Sequence, residues 1–173
     1  MGVEMAVTEQ TTPTAETIQS ALDTIAAAVC AVDGDALTDC FTDDAEFSTM
    51  QGTFIGKDAI REYFHYGMAQ GQSAEIEERG IRRLVNPPFA TVEGVEVLTA
   101  KDGTRYRVPY LACGQFNADG KIVAWTRYSD RWLILRQGAE QMKGPQGWIF
   151  RWFVRQVDSI QDKGWPTPAR PPG

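Results

Sequence analysis

The spacing of apolar side chains changes once along this chain, near Glu75, and that change constrains the fold more than any other feature. Upstream, Ile18, Leu22, Ile25, Val29 and Val32 recur at steps of three and four, the signature of one apolar stripe along a helix. Downstream, the runs 75–84, 89–100, 104–117 and 122–135 follow a period of two between turn residues and read as long antiparallel strands. Lys101-Asp102-Gly103 and the stretch from Asn117 to Gly120 supply the Asp-Gly pairs that tight hairpins favour. Strand and helix do not alternate, so a parallel, doubly wound sheet is disfavoured. An α+β fold is expected, a cone in which helices cover one face of a curved antiparallel sheet.

The upstream half divides further. Thr12 can cap the first helix, with Pro13 at its first position and Gly34 as its stop. A short helix from Asp35 places Leu37 and Phe41 one turn apart, and Asp43-Asp44 turns the chain out of it. The segment 45–49 alternates, 52–56 turns, and a helix beginning near Lys57 carries the stripe Ile60, Phe64, Met68. The resulting division is a polar lead-in over 1–11, a folded domain over 12–143, and an aromatic extension over 144–173 with a proline-rich end. Trp148, Ile149, Trp152, Arg151, Arg155 and Lys163 give that extension a basic amphipathic character. It reads as a lid or dimer contact, with membrane-surface binding as the alternative.

With 173 residues, one core is expected. Seventeen basic residues against 23 acidic ones leave a net charge of -6, which argues against nucleic acid as a partner. No apolar run is long enough to span a bilayer. Three cysteines without paired spacing, and no basic-then-apolar leader, point to a cytoplasmic protein rather than a disulfide framework. His65 is the only histidine, which works against histidine-rich zinc sites and Ser-His-Asp triads; no metal or other cofactor is expected. Acid-base chemistry then falls to carboxylates, tyrosines and arginines.

Three strings carry a resemblance: L-T-D-C-F-T-D-D from Leu37, G-K-D-A-I-R-E-Y-F from Gly56 and D-G-K-I-V-A-W-T-R-Y-S-D from Asp119. Together with the element order they resemble the NTF2-like superfamily, in particular its SnoaL-like polyketide cyclase and limonene-epoxide hydrolase branch, over about residues 15 to 133. The resemblance implies an apolar cone and a homodimer formed through the sheet. The epoxide-hydrolase pattern departs at most of its positions. Its Tyr-x-Asn falls on Phe47 and Thr49, its Arg-x-Asp on Gly94 and Glu96, and its final Asp on Arg127; only Glu96 keeps a carboxylate. The ketosteroid-isomerase relatives place an Asp base near Thr49.

Period-two counting turns Gly94, Glu96 and Leu98 inward on one strand, Tyr106, Val108, Tyr110, Ala112 and Gly114 on the next, and Trp125, Arg127 and Ser129 on the last. Glu96 and Arg127 then share a cavity with Tyr110, either as an acid-base and oxyanion-stabilising group or as an ion pair that fixes register. A bulge near Ser129 would bring in Asp130 in place of Arg127. Ala26, Val29, Phe47, Thr49, Ile60, Phe64, Met68, Leu98, Ala112, Trp125 and Ser129 are the candidate lining, suited to a bulky hydrophobic substrate of polyketide, terpenoid or steroid-like type. Cyclisation or isomerisation is the leading expectation; epoxide hydrolysis by altered residues and non-catalytic binding are the alternatives.

Overall fold

The computed structural model describes residues 12–69, 71–77, 81–142, 144, 147–152 and 154–155, so the expected lead-in and proline-rich end lie outside the described residues. The chain divides into two compact units, Met1–Asp130 and Arg131–Gly173.

In the first unit, α1 spans Ala15–Ala31. Its cap is Thr14, whose hydroxyl accepts from the Thr17 N–H, rather than Thr12. Its end is not at Gly34 either. Val32 closes the helix in the left-handed region, φ 54°, donating its N–H to the Ala28 and Val29 carbonyls. Gly34 instead opens α2 (Gly34–Asp39), where a Cβ would lie 3.0 Å from the His65 ring, so its smallness serves helix packing.

Phe41 belongs to β1 (Phe41–Thr49) and not to the short helix. Asp43 and Asp44 lie within that strand, on an irregularity where five residues of β1 advance against two of its parallel partner, so both carboxylates stay exposed. A hairpin leads into β2 (Gly52–Ile55), followed by α3 (Lys57–Met68). The expected strand 75–84 is two strands, β3 (Gly71–Ile76) and β4 (Arg82–Asn86), which pair with successive parts of β5 (Phe89–Ala100). Then come β6 (Arg105–Phe116) and β7 (Ile122–Ser129).

The sheet runs β2-β1-β7-β6-β5-β3, with β4 also on β5, and all its pairings are antiparallel except β1 with β7. Its inner residues, among them Phe47, Val92, Ala112, Phe116 and Trp125, form one core with Ile18 and Leu22 of α1 and Ile60 and Phe64 of α3. This is the α+β arrangement expected. The opposite face leaves Leu84, Phe89, Leu111 and Tyr128 exposed.

The strand expected to reach Leu135 ends at Ser129, which pairs with Tyr110; the preceding β6 residue, Pro109, has no N–H for a further bond. In the second unit, α4 spans Arg131–Gln141, so the apolar run after Asp130 is helical. Short apolar runs do not by themselves separate the two states. Arg151 donates to the Ala139 and Met142 carbonyls, tying the helical residues 147–152 to α4, while Trp148, Ile149 and Trp152 are exposed. No helix of the described residues is long and apolar enough to cross a membrane.

Candidate functional site

Rows of facing residues run across the sheet, and they set what the interior contains. Ala90, Gly114, Trp125 and Phe47 form one row, in which Gly114 is required because a Cβ there would lie 2.3 Å from the indole of Trp125. The next inward row is Arg83, Val92, Ala112 and Arg127, one residue each from β4, β5, β6 and β7. Gly94 faces Tyr110 beyond it, and a Cβ at Gly94 would lie 3.0 Å from the phenol oxygen. The absent side chain leaves the tyrosine ring room against the sheet.

These rows and α1 line much of a partly open cavity of about 70 Å³. One end is aromatic: Phe47 lies 5.8 Å from Phe41 and 5.2 Å from Phe64, centroid to centroid. The other end holds the polar lining, which among the described residues is Arg83, Glu96, Tyr110 and Arg127. Glu96 is 4% exposed, and Arg127 Nη2 donates to its Oε2 at 2.6 Å. The Arg127 guanidinium also lies 4.9 Å from the centroid of the Tyr110 ring, a cation–π contact. Burial, reinforced by the Glu96 charge, pushes the Tyr110 pKa above the ordinary phenol value. The group stays a neutral hydrogen-bond donor throughout the physiological range. Arg83 Nη1 donates to Asp23 and, at 3.4 Å, to Gln19, both on α1.

Of the candidates drawn from the sequence, the structure brings Glu96, Arg127 and Tyr110 together with Ala26, Val29, Phe47, Phe64, Ala112 and Trp125 around this space. Six others are placed elsewhere. Ile60 is wholly buried beneath α3, and Met68 packs on the core from the end of that helix. Thr49 hydrogen-bonds Gln51 at the β1-β2 turn. Leu98 and Ser129 lie part-buried near strand ends, outside the lining. Asp130 is exposed just past β7, because the β6-β7 irregularity falls at Gln115/Phe116 and leaves the parity at Ser129 unaltered. His65 is exposed, 3.1 Å from Asp35.

Arg83 was not among the candidates. Its signal was present in the alternation Ile81, Arg83, Val85, but reading 75–84 as one unbroken strand hid which parity faced inward. The expected roomy pocket is also narrower, because Phe41, Phe47, Phe64 and Trp125 converge within it. Among the described residues no cluster of three or more His, Cys, Asp or Glu could hold a metal.

The SnoaL-like domain pattern matches residues 22–125, which span both ends of the cavity. The chain belongs to the SnoaL-like domain family. Its fold is that of the NTF2-like superfamily. A Catenulispora acidiphila protein with a ketosteroid isomerase-like fold, solved with trimethylamine, shares 19% identity over 68% of this chain and 90% of that one, with a TM-score of 0.60. A candidate SnoaL-like polyketide cyclase of Shewanella denitrificans shares 13% over 71% and 97%, TM-score 0.62. An epoxide hydrolase of M. tuberculosis resembling limonene-epoxide hydrolase shares 16% over 84% and 98%, TM-score 0.58. At these identities the likeness is one of fold. No curated protein sequence matches the chain.

Proposed function

We propose that this SnoaL-like protein is a cofactor-independent acid-base catalyst that isomerises or cyclises a hydrophobic carbonyl compound. The observation that supports this reading is the buried Glu96–Arg127 pair beside Tyr110 in an otherwise apolar cavity. Oε2 of Glu96 is engaged by Arg127, so Oε1 is the atom that takes a proton from the carbon next to the substrate carbonyl. That C–H bond breaks, its electron pair moves into the carbonyl, and the enolate oxygen is met by the Tyr110 O–H and the fixed Arg127 charge. Isomerisation returns the same proton from Glu96 to a different carbon. Cyclisation uses the enolate carbon to attack a second carbonyl, and Glu96 then protonates the new alkoxide. Both schemes balance without an oxidant or reductant. The narrow cavity suits a slim chain or a single ring at the reacting end.

Deuterium incorporation tests the first step without knowledge of the natural substrate. Cyclohexanone, its β,γ-unsaturated analogue, levulinate and methyl levulinate would be incubated with the protein in heavy water and followed by NMR. The wild type is expected to label at least one of them beside the carbonyl, and Glu96→Gln to do so about two to four orders of magnitude more slowly. Equal labelling by the two proteins, or none by either, overturns the reading and leaves a cavity that binds without catalysis.

A further inference from the structure

We propose that the molecule this cavity accepts is an apolar carboxylic acid, and that Arg83, at the opposite end of the Arg83-Val92-Ala112-Arg127 row from Arg127, is the residue that selects it. This deepens the catalytic reading and rests on it for the roles of Glu96 and Tyr110.

Arg127 has its counter-charge inside the cavity, in Glu96, which is almost wholly buried. Arg83 also lines the cavity, yet its counter-charge, Asp23, has a side chain 70% exposed and is outside the lining. Among the described residues the cavity lining therefore holds two cations and one carboxylate, and the second carboxylate, Asp23, lies outside it. Water weakens what Asp23 supplies, whereas an anion seated between apolar walls would meet Arg83 in a low-dielectric setting. The two described hydrogen bonds of Arg83 both use Nη1, so neither occupies Nε or Nη2, the edge that a carboxylate grips in a bidentate pair.

Three strand spacings of about 4.8 Å put the Cα atoms of Arg83 and Arg127 roughly 14 Å apart. Between them stand only Val92 and Ala112, so a chain or ring can lie along the row. The Arg83 charge also reaches the Tyr110 phenol, where with Arg127 it opposes the effect of burial and of Glu96. A ligand with a carboxylate at one end and a carbonyl at the other matches both groups.

Calorimetric titration with phenylpropionate, methyl phenylpropionate and phenylpropanol tests this, since none of the three can react and the readout is independent of turnover. The wild type is expected to bind the acid at least about tenfold more tightly than the ester or the alcohol. Arg83→Gln should remove the preference. Asp23→Asn, which deletes only an exposed competitor for Arg83, should strengthen acid binding several-fold and leave the alcohol unchanged. It decides the matter if Arg83→Gln proves unfolded by circular dichroism. Equal binding of acid, ester and alcohol, no binding of any of them at millimolar concentration, or a preference that survives Arg83→Gln would overturn the proposal. An acid preference without Glu96-dependent labelling would sustain the specificity of Arg83 while overturning the catalytic reading.

Discussion

The two ends of the cavity are built from the same sheet by different means. At the β1 end, Phe41, Phe47 and Phe64 meet in ring contacts, Trp125 meets Phe116, and all of them bury themselves almost completely. At the β4 and β6 end, Arg83, Glu96, Tyr110 and Arg127 occupy equivalent inward positions but spend part of their stabilisation on desolvating charge. Burial of rings is non-directional and roughly proportional to area, so the aromatic end holds the fold together. Charged groups that must be desolvated contribute little net stability, so the polar end adds less to the fold. The comparison becomes quantitative through substitutions that weigh the two ends against each other.

The largest effect belongs to the aromatic end. Phe47 is 3% exposed and touches the rings of Phe41, Phe54, Tyr63 and Phe64. Phe47→Ala should cost about 3 to 5 kcal/mol, measured by denaturant titration. A loss below about 1 kcal/mol would show that this end collapses around the deleted ring, and the contrast with the polar end would fall.

Legibility in the sequence follows the same division. Period-two alternation carried the long strands, and with them the inward parity of Glu96, Tyr110 and Arg127, because a pleated strand leaves no choice once one residue is placed. It failed where pairing is interrupted. The break between β3 and β4 concealed Arg83, and the irregularity in β1 turned Asp43 and Asp44 from an expected turn into exposed strand residues. Cavity width was not legible either. It depends on how rings from β1, α3 and β7 meet, which no local pattern states, so of Ile60, Phe64 and Met68, all expected in the lining, only Phe64 reaches it.

A smaller effect is expected from the buried pair. Glu96→Gln removes the charge opposite Arg127, but that side chain is 27% exposed and rests on Tyr110, so rehydration softens the penalty to about 2 kcal/mol. Adding Arg127→Met removes the lone cation, and the double variant should regain about 1 kcal/mol over Glu96→Gln. A double-mutant cycle in urea gives the coupling directly. Strictly additive losses would mean that the two side chains do not stabilise one another, and the polar end would have to be redrawn without the ion pair.

The smallest effect is the alkaline behaviour of Tyr110. Its folded pKa is raised, chiefly by burial and then by the Glu96 charge, so folding favours the neutral phenol. The sign follows from linkage. Below the unfolded value of about 10 the phenol is protonated in both states, and its contribution is fully present. As pH rises above that value the unfolded chain releases its proton first, and stability is lost until the folded group also ionises. Tyr110→Phe keeps the ring beneath Arg127 but has no proton to lose. The wild type should therefore lose stability with pH more steeply than the variant, and only above about pH 10. Other groups that titrate in this range, the buried Cys40 thiol with its own raised pKa among them, are common to both proteins and cancel in the difference. Parallel stability curves through pH 11 would show a phenol that ionises as it does in water, and the polar end would then be wet enough to deny Tyr110 the role proposed for it as a fixed donor to an enolate.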